Sequence, residues 1–158
     1  MRRTRPYSKN IFAHPTNMPN RRIVLDTNCL LASLSRQGCA YPVWKGFQEG
    51  RYVLCVSTEI LEEYEEIIAE NTTPNLAKNV VDLIVKSENV VQVNTYYHWN
   101  LITADPDDNK FVDCAFAAGA TYIVSDDSHF NVLRDITFPQ LLVLSLKEFL
   151  ETLQKEDK

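Results

Sequence analysis

Short runs of apolar residues, each closed by a polar residue, recur along the chain. They are Ile23-Val24-Leu25 before Asp26, Tyr52–Val56 before Ser57, Thr121–Val124 before Ser125 and Leu141–Leu144 before Ser145, with Val90–Val93 as a fifth. Unbroken apolar runs of this length suit strands covered on both faces, as in a parallel sheet. Between them the apolar period changes to that of a helix. Residues 58–69 place Ile60, Leu61, Tyr64, Ile67 and Ile68 on one face, and residues 75–86 do the same with Leu76, Val80, Leu83 and Ile84. Helices are also predicted over 28–35, 41–49, 106–118 and 147–154. The alternation predicts a three-layer α/β/α fold around a parallel sheet of four or five strands. Residues 1–20, with Pro6, Pro15 and Pro19, read as an irregular, flexible arm, leaving 21–158 as one domain.

Charge divides the chain the same way. Residues 1–22 hold six basic side chains and no acid, so the net charge of −5 conceals a body with 10 basic and 21 acidic residues. A basic tail on an acidic body suits either nucleic-acid contact or plain solubilisation, and the second is the commoner case. An acidic body argues against a protein that grips duplex DNA over a broad face. No apolar run is long enough to span a membrane and no secretory signal is present, so a cytoplasmic protein is expected. Cys29, Cys39, Cys55 and Cys114 form no C-x-x-C pair and read as reduced thiols, most of them buried.

Ligands of open parallel sheets bind beyond the carboxyl ends of the strands. Asp26 and the pair Asp126–Asp127 follow separate strand candidates and so reach one sheet edge, although a single Asp after a strand is more often a cap or turn residue. In helix 58–69, Glu62 and Glu66 point away from the apolar face. Glu63 and Glu65 fall on its two margins, and spacing does not choose between them. Asp105-Pro106-Asp107-Asp108 has the form of a helix start with Asp105 as N-cap. Asp108 projects on the side of Phe111, Val112 and Ala115, where a carboxylate is costly unless paired or metal-bound, whereas Asp113 is expected to be more exposed. Converging carboxylates repel one another without a cation. Mg²⁺ or Mn²⁺ takes oxygen ligands and can activate water and neutralise charge on a phosphodiester. No P-loop, nucleophile elbow, H-E-x-x-H or Gly-rich dinucleotide motif offers a competing chemistry.

With these residues in place, the sequence from about Arg22 to about Phe149 resembles the PIN-domain family, in its branch of toxin components of toxin–antitoxin pairs. Ile-Val-Leu-Asp26-Thr27-Asn28 resembles the first motif, and Ser57-Thr-Glu-Ile-Leu-Glu-Glu63-Tyr64 the second, in which the glutamate precedes the Tyr. Asp105-Pro-Asp-Asp108-Asn-Lys-Phe and Tyr-Ile-Val-Ser125-Asp126-Asp127 resemble the third and fourth. The resemblance implies a Mg²⁺- or Mn²⁺-dependent ribonuclease acting on single-stranded RNA, with Asp26, Asp108 and Asp127 on the metal and Glu63 completing the site. It also implies an antitoxin partner and a homodimer. Thr27, Asn28, Ser57, Ser125 and Asp126 are the residues placed to support those carboxylates by hydrogen bonds. The rival from another class is a non-catalytic PIN-like module that binds RNA or protein. A phosphatase of haloacid-dehalogenase type would want Asp two residues after Asp26, where Asn28 stands.

Other residues invite bland readings. Tyr96-Tyr97-His98-Trp99 could stack bases, but aromatic clusters more often pack at a domain edge or an oligomer interface. Lys110, Arg134 and Arg36 could contact phosphate but are expected as surface charges, His14 as inert, and His129 as a neighbour of the site with no partner to give it a role.

Overall fold

The three central strands are buried throughout: β1 (Arg22–Leu25, apart from its first residue), β2 (Val53–Val56) and β4 (Tyr122–Val124). Burial on both faces explains their continuous apolar sequences. The flanking β3 (Val90–Gln92) and β5 (Leu142–Leu144) are only partly covered. All pairings are parallel and the order is β3-β2-β1-β4-β5, so the expected sheet has five strands. The computed structural model describes residues 21–136 and 141–156, and the arm expected over 1–20 lies outside the described residues.

The helices are α1 (Thr27–Ser33), α2 (Tyr41–Gln48), α3 (Thr58–Asn71), α4 (Pro74–Lys86), α5 (Asn109–Ala118) and α6 (Leu146–Glu156). They complete the expected three-layer α/β/α arrangement. Their starts follow from sequence. Ser57 Oγ accepts the Ile60 amide and Thr73 Oγ1 the Leu76 amide, each satisfying a donor that a helix N-terminus leaves unpaired. At α6, Ser145 and Glu148 form a reciprocal capping box at 2.8 and 3.0 Å. Gly119 ends α5 in the left-handed conformation, φ 66°, which glycine adopts without a Cβ penalty. The helix expected over 106–118 is divided. Pro106–Asp108 form a 3₁₀ turn before α5 begins at Asn109.

Chain order makes the centre of the sheet special. From β1 the chain moves outward through β2 and β3, then returns to β4 on the other side of β1. The carboxyl ends of β1 and β4 therefore flank the point where the strand order reverses, the place where such sheets form a crevice. Tyr64 of α3, fully buried, donates from its hydroxyl to Leu25 O at 2.6 Å. That bond fixes α3 against the last residue of β1. On the far side of the core, Tyr52 packs edge-on to Phe149 of α6 and donates to Val43 O of α2. The four cysteines are unpaired, as expected: Cys29, Cys55 and Cys114 are buried and Cys39 is exposed.

Candidate metal centre

Asp26 leaves β1 at the crevice and is almost completely buried. Burial pushes its carboxyl above the usual aspartate range, the Ser125 hydroxyl and the Thr27 amide oppose that shift, and the charges of Asp127 and Glu63 add to it. Ser125, the residue after β4, donates from Oγ to Asp26 Oδ2 at 2.7 Å and accepts the Asp127 amide at 3.0 Å. One buried serine thus couples the two strand ends. Thr27 donates to Glu63 Oε2, bringing the α3 carboxylate to the same corner.

Asp108, at the junction of the 3₁₀ turn and α5, reaches the group from a fourth element. It makes no side-chain cap bond. Capping is done by Asp105, whose Oδ1 accepts the Asp107 amide at 3.2 Å. Burial raises the Asp108 carboxyl to about 6, against a lowering by its bond to His129, with Asp105, Asp127 and Asp26 adding repulsion. The structure therefore brings Asp26, Glu63, Asp108 and Asp127 into one electrostatic neighbourhood, linked through Thr27, Ser125 and His129.

The residues named as supports divide. Thr27 and Ser125 touch the acids directly. Ser57 caps α3 instead, and Asp126 accepts the Leu146 amide at 2.9 Å, tying the loop after β4 to α6. Asn28 is exposed and lines a cleft of about 260 Å³ with Asp26, Asp126 and Asp127. A second groove, of about 420 Å³, lies on the Glu63 side and is lined by Glu59, Glu62, Glu66, His98 and Lys110 among others.

Three expectations need correction. Lys110 is not a free surface charge. Its side chain is 12% exposed, and Nζ meets Glu63 Oε1 at 2.7 Å and Asp107 Oδ1 at 2.9 Å. Burial works against the Lys110 ammonium, but the bonds to Glu63 and Asp107 outweigh it and raise its pKa. His129 does have partners, since Nδ1 lies 3.2 Å from Asp108 Oδ2 and 3.3 Å from Asp127 Oδ1. Asp113 is buried to 4% exposure, because residues 98–102 cross the side of α5 that faces away from Phe111. Its two oxygens meet His98 Nδ1 and the Trp99 amide, both at 3.0 Å. The aromatic segment packs as expected in that the Trp99 ring lies 4.9 Å from Phe116 and edge-on to Tyr97 at 4.8 Å, while Tyr96 is 86% exposed.

Asp113→Ala should destabilise the fold by about 2 kcal/mol, because the Trp99 amide loses its acceptor. Asp113→Asn, which retains one acceptor oxygen, should lose less. Urea titrations followed by tryptophan emission check this, and equal stability of Asp113→Ala and wild type would refute the anchoring role.

The donor set fits a hard divalent cation. The acids offer only oxygen donors, are partly desolvated, and outnumber the one ammonium beside them, that of Lys110. An open parallel sheet with carboxylates gathered at its switch point defines an acid-centred α/β protein. The chain belongs to the PIN-domain family: a model described as PIN domain matches residues 22–129. Among solved structures, VapBC2 from Rickettsia felis bound to a DNA fragment from their promoter resembles it with TM-score 0.55 and 15% identity. That match covers 78% of this chain and 98% of the other. Mycobacterium tuberculosis VapC20, a sarcin-ricin loop cleaving toxin, resembles it with TM-score 0.52 and 12% identity, over 69% and 92% of the two chains. At these identities the likeness is one of fold. No curated protein matches the sequence. Among the described residues, no helix is long and apolar enough to cross a membrane.

Proposed function

We propose that the protein is a metal-dependent ribonuclease that hydrolyses phosphodiester bonds of single-stranded RNA. The observation that carries this reading is the linkage of four carboxylates from four separate elements at the switch point, with Asp26 held buried by Ser125. Asp26, Asp108 and Asp127 would hold Mg²⁺ or Mn²⁺, with Glu63 completing the site. When bound, the ion supplies charge neutralisation at the scissile phosphate and activation of water. The chain's own residues do the positioning. Ser125 orients Asp26, Thr27 and Lys110 hold Glu63, and the clefts on either side of the centre give an extended strand a path past it. The Thr27 and Ser125 hydroxyls are engaged as donors to Glu63 and Asp26, and we read the reaction as direct hydrolysis without a covalent intermediate.

Biologically, we read the protein as the toxin of a toxin–antitoxin pair, acting as a homodimer in the cytoplasm and restrained by an antitoxin. The family and the two VapC-type structures of similar fold support this reading. Purified full-length protein should cleave single-stranded RNA with millimolar Mg²⁺ or Mn²⁺ and stop when excess EDTA is added. Undiminished cleavage in EDTA by protein free of contaminating ribonuclease would overturn the metal mechanism. Binding of RNA without cleavage under any divalent ion would establish the non-catalytic module instead.

A further inference from the structure

We infer that His129 is a nitrogen ligand of this metal centre, making it a mixed nitrogen–oxygen site that favours Mn²⁺ over Mg²⁺. The inference rests on the metal-dependent reading above and concerns a residue outside the four acids.

The His129 backbone amide donates to Asp127 Oδ1 at 2.9 Å, which holds the residue in the first turn after Asp127. The ring then comes within 3.2 Å of Asp108 Oδ2 and 3.3 Å of Asp127 Oδ1, carboxylates delivered by different elements. The ring nitrogen meets hydrogen-bond geometry with Asp108 alone, so its approach to the Asp127 oxygen is not a second hydrogen bond. The spacing has another meaning. Ligands about 2.1 Å from a small octahedral cation lie about 3 Å from their neighbours, close to the 3.2 Å between His129 Nδ1 and Asp108 Oδ2. Asp105, Asp108 and His129 also each offer a ligand atom within 4.8 Å of the other two. Imidazole among carboxylates shifts a site toward transition-metal ions, whereas Mg²⁺ prefers carboxylates and water.

Calorimetric titration of Mn²⁺ and Mg²⁺ into EDTA-stripped full-length protein tests this. His129→Asn should weaken Mn²⁺ binding on the order of tenfold and Mg²⁺ binding less than about threefold. Pulsed electron paramagnetic resonance of wild type loaded with Mn²⁺ should show nitrogen coupling that is absent from His129→Asn. Folding of the variant is verified by circular dichroism, and the wild-type spectrum stands without it. Absence of nitrogen coupling in wild type, or an unchanged Mn²⁺/Mg²⁺ affinity ratio in the folded variant, overturns the inference. Asp26→Asn separates this from failure of the underlying reading. If it binds both ions as wild type does, the centre is not the metal site at all.

Discussion

Glu63→Gln is expected to slow cleavage of single-stranded RNA on the order of a hundredfold or more, while Glu65→Gln stays within about twofold. Both residues lie in α3, and helical spacing left them equivalent at the margins of the apolar face. The structure separates them by their partners. Glu63 is held by Thr27, the residue after Asp26, and by Lys110 at 2.7 Å, whereas Glu65 is exposed. The Gln side chain is nearly isosteric, so the loss should appear in catalysis with little change in thermal stability. Rates at saturating metal and RNA, with melting curves for both variants, give the comparison. Equal loss in the two, or loss confined to Glu65→Gln, would show that the α3 carboxylate is wrongly assigned.

Asp108→Asn should raise the melting temperature of metal-free protein by about 3 °C, corresponding to about 1 kcal/mol for a chain of this size. In the folded state the Asp108 charge is partly desolvated and lies among Asp105, Asp127 and Asp26, a cost absent from the unfolded chain. Asn keeps the shape and the hydrogen-bonding capacity toward His129 while removing that charge. The variant should also gain less than wild type from millimolar Mn²⁺ or Mg²⁺, because binding to the native state adds stability by mass action. A capping role predicts the opposite sign, since Asn lacks the favourable charge–dipole interaction of Asp at a helix start. The absence of any side-chain cap bond from Asp108 already favours the first outcome. Lower melting of Asp108→Asn, with no response of either protein to metal, would remove Asp108 from the centre.

The fold was legible because its information is local. Each buried strand is an apolar run, three helices start at a Ser or Thr cap (Ser57, Thr73 and Ser145), and strand ends mark the site edge. The second motif also has a physical account, since Tyr64 bonds the Leu25 carbonyl and so places the preceding Glu63 beside Asp26. What escaped were contacts between residues distant in sequence. The partnership of Lys110 with Glu63 spans two helices that nothing in the sequence juxtaposes. Asp113 was misjudged because a helical wheel assumes one buried side, and here the segment through His98 and Trp99 covers a second. His129 lies only two residues beyond Asp127, but its link to Asp108, 21 residues earlier, depends on the 3₁₀ course of Ser128–Asp135.

The unequal burial of the cysteines turns the chain into its own reporter. Burial pushes the thiols of Cys29 and Cys55 up to about 12, and that of Cys114 upward as well, so none supplies appreciable thiolate at neutral pH. Cys39 alone is exposed. A maleimide should therefore attach once per native chain, at the connection between α1 and α2, giving a site-specific label without mutagenesis. Cys55 of β2 and Cys114 of α5 become reactive only when the sheet and α5 open, and Cys29 when α1 moves away from the cleft it lines. The rate at which the last two equivalents are labelled then measures global unfolding under native conditions. Cys29, one turn of helix from Asp26, would register whether filling the acidic centre slows that opening.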